Sequence, residues 1–558
     1  MHPRWTPAFS LDRVPVGGAR LYKSDATQVA VFHRAEGVYA IDNRCPHQGY
    51  PLLQGTVSGC IVTCQWHNFK FDLRDGACVL GEEAVRSYPV RVVDGQVEID
   101  LSPSPSLLAG LWADLATAME RHEAGRIARN VVRLLDLGVT AAELARVGAT
   151  FDAAHGDYGP SHALPLAAEV AAGTPTGSGE QWPALPIVQT LDLAARSTVR
   201  MPVRAVPDPV DPGDDPVEAG ARVRALVEGE RGAEAEALVR GAVARGWGRA
   251  ELQPWFFQLC ADHFLDFGHA LIYSVKVFDL LDAAPSRQDA GTLLGALVWG
   301  LTNGTREDLL PPWSGWRRRI AGLLPPTAGP LPLDALVDAE PPAAFALVAA
   351  SADPLDAIAI AAAERLLRFD PAIDADATVS EGWLDVTHTL TFVNAVRHAR
   401  RHGTPDLARL CLQAAHFVAI TRALDGPRCA VAPVAPTIEP ASIEPASIED
   451  VVDAVGTRRP DAVARAAGCL QDHGLGVLAA ALEARVWRDH ATRAVILAHQ
   501  VKTLRAGTEE AMATGDTRPF LAAVRFLAAP VRERNVERVV EEAIALVRHG
   551  RPPRSRVS

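Results

Sequence analysis

The chain has 558 residues, of which 48% are apolar and 22% charged, with a formal net charge of -12 at pH 7. That balance builds packed cores rather than a disordered chain, and the length is several domains' worth. The acidic balance argues against nucleic acid or an anionic membrane as a partner, since both demand a basic face. Met1 to Gly18 carries no apolar core of signal-peptide type. The apolar stretch Ala344 to Ala363 is broken by Asp353, Pro354 and Asp356, so no run is expected to cross a bilayer. The expected compartment is the cytoplasm. Eight cysteines in so long a chain do not make a disulfide framework.

The first hundred residues read as strands: Gln28–Arg34, Val38–Asp42, Cys60–Cys64, then Val90–Val93 against Val97–Leu101. Asp94-Gly95 between the last two is a hairpin signal. Ser102-Pro103-Ser104-Pro105 marks a linker at 102–106. Beyond it the chain turns Ala- and Leu-rich with helical spacing, as in Ile127, Val131, Leu134 and Leu135, stopped by Gly138. Thr140 with Glu143 predicts a capping box opening the next helix.

The helical part runs over 107–430 and again over 450–548, with a tail at 549–558. Two interruptions are expected. One is a Pro/Gly-rich covering loop at 173–216. The other is a low-complexity insertion at 431–449, where Ile-Glu-Pro-Ala-Ser occurs twice. The expected architecture is thus a small all-β domain followed by a large all-α domain. An internal repeat is also visible. GVTAAEL at 138–144 and GWGRAEL at 246–252 each precede a histidine by eleven residues, His155 and His263, and then a His-Ala-Leu at His162 and His269. A related His-Thr-Leu falls at His388. Duplicated helical hairpins give such a pattern.

Asn43 to Gly76 reads NRCPHQGYPLLQGTVSGCIVTCQWHNFKFDLRDG. Cys45 and His47 are separated by one residue, Cys64 and His67 by two, and sixteen residues lie between the pairs. Two such corners brought together make four ligands. Thiolates suit an iron bridged by sulfide, and neutral imidazoles suit a second iron. The spacing alone also permits a structural zinc site. The surrounding strand pattern, CQWH and the FDLRDG turn favour iron–sulfur.

These residues resemble the Rieske family over roughly 5–101, with Gly49, Leu52, Phe71, Asp72 and Gly76 in the family's places. The resemblance implies one [2Fe–2S] cluster, with Cys45 and Cys64 on one iron and His47 and His67 on the other, the imidazoles at the surface end. The respiratory subtype carries a disulfide between its two cluster loops. Tyr50 and Trp66 occupy those positions here, so the chain is similar to the ferredoxins and oxygenase components of ring-hydroxylating systems. Asn68 and Phe69 follow His67 where that subtype has a serine bonded to a cluster sulfide, which implies a lower potential. Cys60 and Cys78 read as thiols on strands.

A Rieske cluster passes single electrons and does no bond chemistry, so the destination must be sought in the helical part. Asp262, Asp266 and His269 fit three places of the ring-hydroxylating mononuclear iron motif, but the fourth falls on Ser274, which cannot replace an imidazole. The match is read as accidental. His155, His162, His263, His269, His388, His416 and His490 mostly lie in apolar helical surroundings and could converge on a metal or substrate. Asp262, Asp266, Asp385 and Asp489 are candidate partners for them. His263, His269 and His388 are the expected catalytic residues. His398, His402, His473 and His549 read as solvated.

GHALIYSVKVFDLL from Gly268 and THTLTFVNAVRHA from Thr387 resemble the questin oxidase-like family, histidine-bearing all-helical proteins of oxidative aromatic ring cleavage. That resemblance, over 107–548, implies an oxygen-dependent reaction on a small aromatic or other planar organic substrate, while a second metal in the helical domain is the expectation the histidines themselves raise.

No Gly-x-Gly-x-x-Gly loop, P-loop, Cys-x-x-Cys-His or Gly-x-Ser-x-Gly occurs. Reducing equivalents must therefore come from a separate reductase or ferredoxin. The expectation is an oxidoreductase whose cluster feeds an oxygenase-like site. The alternatives are a carrier whose helical array is a docking scaffold, and a redox sensor. Histidines converging with acids on one cavity would favour the enzyme, and scattered ones the scaffold.

Overall fold

The computed structural model describes residues 4–24, 27–102, 105–173, 182–322, 331–426, 446–488, 493–529, 540 and 544. Compactness divides the chain into two units, Met1–Ala118 with Val132–Gly138, and Met119–Val131 with Val139–Ser558. Helix Pro105–Glu120 therefore lies largely in the first unit, beyond the expected linker.

The first unit is built on eleven short strands: β1 Trp5–Ser10, β2 Ala19–Lys23, β3 Gln28–Arg34, β4 Gly37–Asp42, β5 Thr56–Ser58, β6 Ile61–Thr63, β7 Lys70–Asp72, β8 Cys78–Leu80, β9 Ser87–Tyr88, β10 Val90–Val93 and β11 Gln96–Asp100. They form three antiparallel sheets, in orders β1-β11-β10, β2-β3-β4-β9 and β5-β6-β7-β8. The β3 segment reads as a continuous apolar run because both of its faces are covered. Val29 and Val31 enter one core with Phe9, Val97 and Ile99, while Ala30 and Phe32 enter another with Ile41, Leu52, Val62 and Phe71. The β10–β11 hairpin forms as its turn residues dictate. Asp94 and Gly95 both adopt positive φ, 49° and 76°, and Val93 pairs with Gln96.

The second unit is helical. Ile127, Val131 and Leu134 are fully buried along helix Ala124–Asp136, whose end belongs to the first unit. The Thr140–Glu143 capping box forms and opens helix Ala141–His155. Helix Ala141–His155 starts at a capping box, whereas helix Arg249–Asp262 starts with one bond, Gly248 N–H to Glu251 Oε2 at 2.9 Å; His162 and His269 both stand at the start of the helix that follows, Ala163–Ala171 and His269–Ala283.

The expected loop at 173–216 contains a helix, Ala184–Ser197. Ile187, Leu191, Ala194 and Ala195 follow helical spacing and are fully buried, which outweighs the Pro/Gly-rich flanks. The described stretch after that helix, 198–215, is held down by bonds to its neighbours. Arg204 N–H donates to Ala154 O at 2.9 Å, and Val210 N–H to Ala237 O at 2.9 Å. The Arg204 guanidinium grips buried Glu236 in a bidentate pair of 2.5 and 2.8 Å. The expected insertion at 431–449 lies outside the described residues except for 446–449, where Ser447 caps helix Ile448–Gly456. The tail 549–558 lies wholly outside them.

One segment corrects the expectation about spanning runs. Leu407–Leu424 is long and apolar enough to cross a membrane, with mean hydropathy 1.2, and 67% of it is buried inside the structure. Its Leu410, Ala414, Ala415 and Val418 are core residues.

Truncating Arg204 to Ala leaves the Glu236 carboxylate buried without its partner. The expected loss is about 3–5 kcal/mol of unfolding free energy, read from urea denaturation, with Arg204→Lys recovering only part of it.

Candidate metal centres

Among the described residues, two groups of side chains are taken as candidate metal centres. The first sits on two loops of the β unit that repeat one turn. Cys45 N–H donates to Tyr50 O and Gly49 N–H to Cys45 O, at 2.9 and 2.8 Å; Cys64 N–H donates to Phe69 O and Asn68 N–H to Cys64 O, at 2.8 and 3.1 Å. Gly49 and Asn68 take the matching left-handed positions, φ 76° and 61°, which Asn tolerates better than most residues.

The turns bury Cys45 and Cys64 in one core cluster, and burial together with the neighbouring Cys64 sulfur pushes the Cys45 thiol up to about 11. Two buried sulfurs side by side suit a cation that takes them as thiolates. His47 is half-buried and His67 exposed, and their Nδ1 atoms face each other at 3.2 Å. His47 stacks on Phe69 at 4.9 Å and Trp66 on His67 at 5.2 Å, which fixes both ring planes. Tyr50 and Trp66 meet edge-on at 6.1 Å, so an aromatic contact stands at the positions of the respiratory disulfide. The seven described cysteines are all free.

The second group is in the helical unit. His162, His269, His388 and His499 each present a ring nitrogen, and these four atoms lie within 4.8 Å of one another. His162 stands at the N-cap position of helix Ala163–Ala171, His269 opens helix His269–Ala283, and His388 and His499 project from helices Trp383–Arg401 and Ala494–Thr514. The Nε2–Nε2 distances are 3.1 Å for His269–His162, 2.8 Å for His388–His269 and 3.2 Å for His499–His388. A tetrahedral ion with ~2.0–2.1 Å bonds to nitrogen sets its ligands about 3.3 Å apart.

The rings are oriented from behind. His269 Nδ1 lies 2.7 Å from Asp266 O, and His499 Nδ1 lies 2.7 Å from Val495 O. A carbonyl only accepts, so both Nδ1 atoms carry the proton and both Nε2 atoms are bare lone pairs. Burial drives all four imidazoles toward neutrality: His269 is pushed down to about 3, and the other three fall well below their usual value. The Lys502 amine lies 3.1 Å from His388 Nε2 and is itself pushed down to about 7 by burial. Hydrogen bonds among the rings could draw only on protons of His162 and His388. A cation satisfies all four lone pairs at once. Neutral imidazoles suit zinc, copper, iron or nickel.

His269 is aimed by an unusual backbone. Asp266, Phe267 and Gly268 are three consecutive left-handed residues, with φ 46°, 53° and 84°. The two non-glycines cost about 1–2 kcal/mol each. Gly268 is required, because a Cβ there would stand 2.5 Å from the Phe392 ring. The turn is clamped by Asp266 N–H to Thr305 O, Thr305 N–H to Asp266 Oδ1, and Phe267 N–H to Glu307 Oε1, at 3.2, 2.9 and 2.9 Å.

Two of the three expected catalytic histidines, His269 and His388, are thus brought together, and His263 is not. Its Nδ1 lies 3.0 Å from the buried carboxylate of Asp308 and its Nε2 3.0 Å from Glu228, so it is held in an ion-paired network. The Asp308 hydrogen bond holds it above the usual imidazole range. His155 donates back to Phe151 O, and His416 stacks on Trp313 at 4.1 Å. His398 pairs with Glu509 at 2.8 Å rather than standing free in solvent. Asp489 and His490 lie outside the described residues.

Among the described residues, the candidate acids do not join the four rings as ligands. Asp262 binds Arg224 and Arg409, Asp385 caps its own helix at Gly382, and Asp266 contributes its carbonyl. Ser274 of the near-motif donates to Ala270 O and is buried. His499 escaped the sequence reading, although ILAHQV has the same apolar helical setting as the other members.

Residues 4–100 match the family model described as a Rieske-like [2Fe-2S] domain. The chain is 32% identical over 99 residues to the anthranilate 1,2-dioxygenase ferredoxin subunit of Burkholderia cepacia, covering 17% of this chain and 92% of that protein. It is 33% identical over 101 residues to the biphenyl dioxygenase ferredoxin subunit of Pseudomonas sp. (strain KKS102), covering 18% and 93%. Among solved structures, the ferredoxin of carbazole 1,9a-dioxygenase from Nocardioides aromaticivorans IC177 aligns at 26% identity over 18% of this chain and 98% of that one, with a TM-score of 0.17. The β unit is therefore an electron-transfer module of Rieske type. Through it the chain belongs to the Rieske [2Fe–2S] family, homologous to the ferredoxin components of ring-hydroxylating dioxygenases.

Glu307 provides a pH test of the clamp. Burial, then the nearby Asp266, Asp385 and Asp308, push it up to about 8 against the Phe267 N–H. Between about pH 4.5 and 8 the folded state holds a proton that the unfolded state has released. Stability from this group therefore falls as pH rises through that window. Thermal unfolding should show a shallower decline from pH 5 to 8 in Glu307→Gln than in the unaltered protein.

Proposed function

We propose that this protein is an iron–sulfur oxidoreductase whose Rieske domain takes electrons from a separate reductase or ferredoxin and feeds an oxygen-dependent site in the helical domain. Cys45 and Cys64 hold one iron of the cluster, and His47 and His67 hold the other. His162, His269, His388 and His499 hold a second metal. When bound, the cluster supplies single electrons and the second metal a centre for oxygen chemistry on a small organic substrate, an aromatic one by the family resemblance of the helical part. The protein works in the cytoplasm.

The observation that carries this reading is the convergence of four neutral imidazoles on one point, two of them with their protons committed to backbone carbonyls. A carrier on a docking scaffold has no use for such a set. The side chains have separable tasks. The buried cysteines bind thiolate-loving iron away from water. The exposed His67 edge, with Trp66 stacked on it, is the electron's way in or out. Asp266 O and Val495 O hold the His269 and His499 rings in the one tautomer that leaves Nε2 free to ligate.

The test uses the full chain with its cluster assembled. Iron and sulfide content and the reduced-cluster electron paramagnetic resonance signal report the first centre. Oxygen uptake on reduction, together with total metal, reports the second. His499→Ala or His388→Ala should keep the cluster signal, lose one metal per chain and lose at least ~90% of the oxygen uptake beyond that of the cluster alone. Uptake and metal content unchanged in both variants would leave the protein an electron carrier.

A further inference from the structure

Lys502 is buried, with 4% of its surface exposed. A lysine taken out of water is ordinarily held by a carboxylate. Among the described residues, no carboxylate pairs with this one. Glu169 borders the same small pocket but is taken by Lys276 at 2.7 Å and by Arg505 at 2.9 Å. Glu509 and Glu510, further along the same helix, are taken by His398 and Arg397, both at 2.8 Å. The amine instead lies 3.1 Å from His388 Nε2. Charge alone would be served by arginine, which the chain uses almost throughout. Of its 55 basic residues, only Lys23, Lys70, Lys276 and Lys502 are lysines. An amine differs from a guanidinium in having a lone pair to give.

His388 Nε2 is one of the four nitrogens that converge. A lone pair committed to a metal cannot also accept a hydrogen bond, so a metal at the histidines deprives Lys502 of its partner. Three features say what the amine does then. His499 and Lys502 are three residues apart on helix Ala494–Thr514 and share a face. Helices use that spacing to aim two ligands at one ion. Lys502 acts electrostatically on all four rings, pushing each further toward neutrality. Its distance from His388 Nε2 falls within the range between neighbouring Nε2 atoms, 2.8 to 3.2 Å. A tetrahedral ion spaces its ligands more widely, whereas ligands at right angles on such bonds stand about 2.9 Å apart. Closer spacing is what more than four donors around one ion require.

Resting on the second-metal reading above, we infer that Lys502 Nζ is the fifth nitrogen ligand of the helical centre. Any proton on the amine leaves as the metal enters, as metal binding to such donors requires. Five nitrogens suit an ion that accepts five or six ligands, such as iron, better than zinc, whose structural sites are tetrahedral and closed. One position of an octahedron is left for a small exogenous ligand.

The experiment uses the full chain with a heavy-nitrogen label at the lysine side chains, loaded with Cu2+ while the cluster is oxidised and magnetically silent. Electron–nuclear double resonance reads the nitrogens bonded to copper. Iron, sulfide and copper per chain are measured in every sample. The unaltered protein should show a labelled-lysine coupling of directly bonded size beside those of the imidazoles. Lys502→Leu and Lys502→Arg should lose that coupling and hold Cu2+ roughly tenfold or more weakly. The label reports on the unaltered chain, so the result stands even where a variant fails to fold.

Copper that His499→Ala removes but that shows no labelled coupling, or a coupling that persists in Lys502→Leu, overturns Lys502 as a ligand and leaves the four-histidine centre standing. Equal copper content in the unaltered protein and His499→Ala overturns the centre and the fifth ligand with it.

Discussion

Four imidazole nitrogens meet in the helical unit with no acid among them, and the packing around them follows from keeping them there. The two rings with bare Nε2 atoms, His269 and His499, gain nothing from each other. They are held by what stands behind them: the Asp266 and Val495 carbonyls, the body of two long helices, and the left-handed turn that sets the start of a third. The strain of that turn is offset by a clamp in which Thr305 and Glu307 take up its polar groups. A helix His269–Ala283 displaced by an ångström would lose the convergence, which is why Gly268 must pass so close to Phe392.

Two of the four ligands come from similar places: His162 and His269 each stand just after a loop and at the head of a helix. Their Nε2 atoms meet at 3.1 Å. His388 and His499, supplied by helices of the later part of the chain, close the set from the buried side. The second histidine pair of the repeat went another way. His155 returns to its own helix, and His263 is absorbed by Asp308 and Glu228.

The β unit solves a similar problem by different means. Two loops with the same backbone hydrogen bonds present one cysteine and one histidine each, and the rings are pinned by flat contacts with Phe69 and Trp66. Tyr50 and Trp66 meet between the loops through aromatic packing instead of a covalent bond. The thiols face the core and the imidazoles face outward, which is the polarity an electron-transfer tip requires.

How much of this was legible depended on the range of the interactions. Cys45, His47, Cys64 and His67 could be read because two short loops carry all four, and local spacing encodes local geometry. β3, the Asp94-Gly95 hairpin and the Thr140–Glu143 cap were readable for the same reason. The helix at Ala184–Ser197 was obscured by proline and glycine in its flanks, although its buried spacing was present. The four-histidine centre spans residues 162 to 499, and no local pattern tells His499 from His416, or His269 from His263. All lie in apolar helical surroundings. Whether such a ring meets another imidazole, a tryptophan or an aspartate is settled by which helices pack together, a long-range choice made by the whole core. The sequence by itself determined a Rieske domain ahead of a histidine-bearing helical one. Only the tertiary structure decided which histidines share a site.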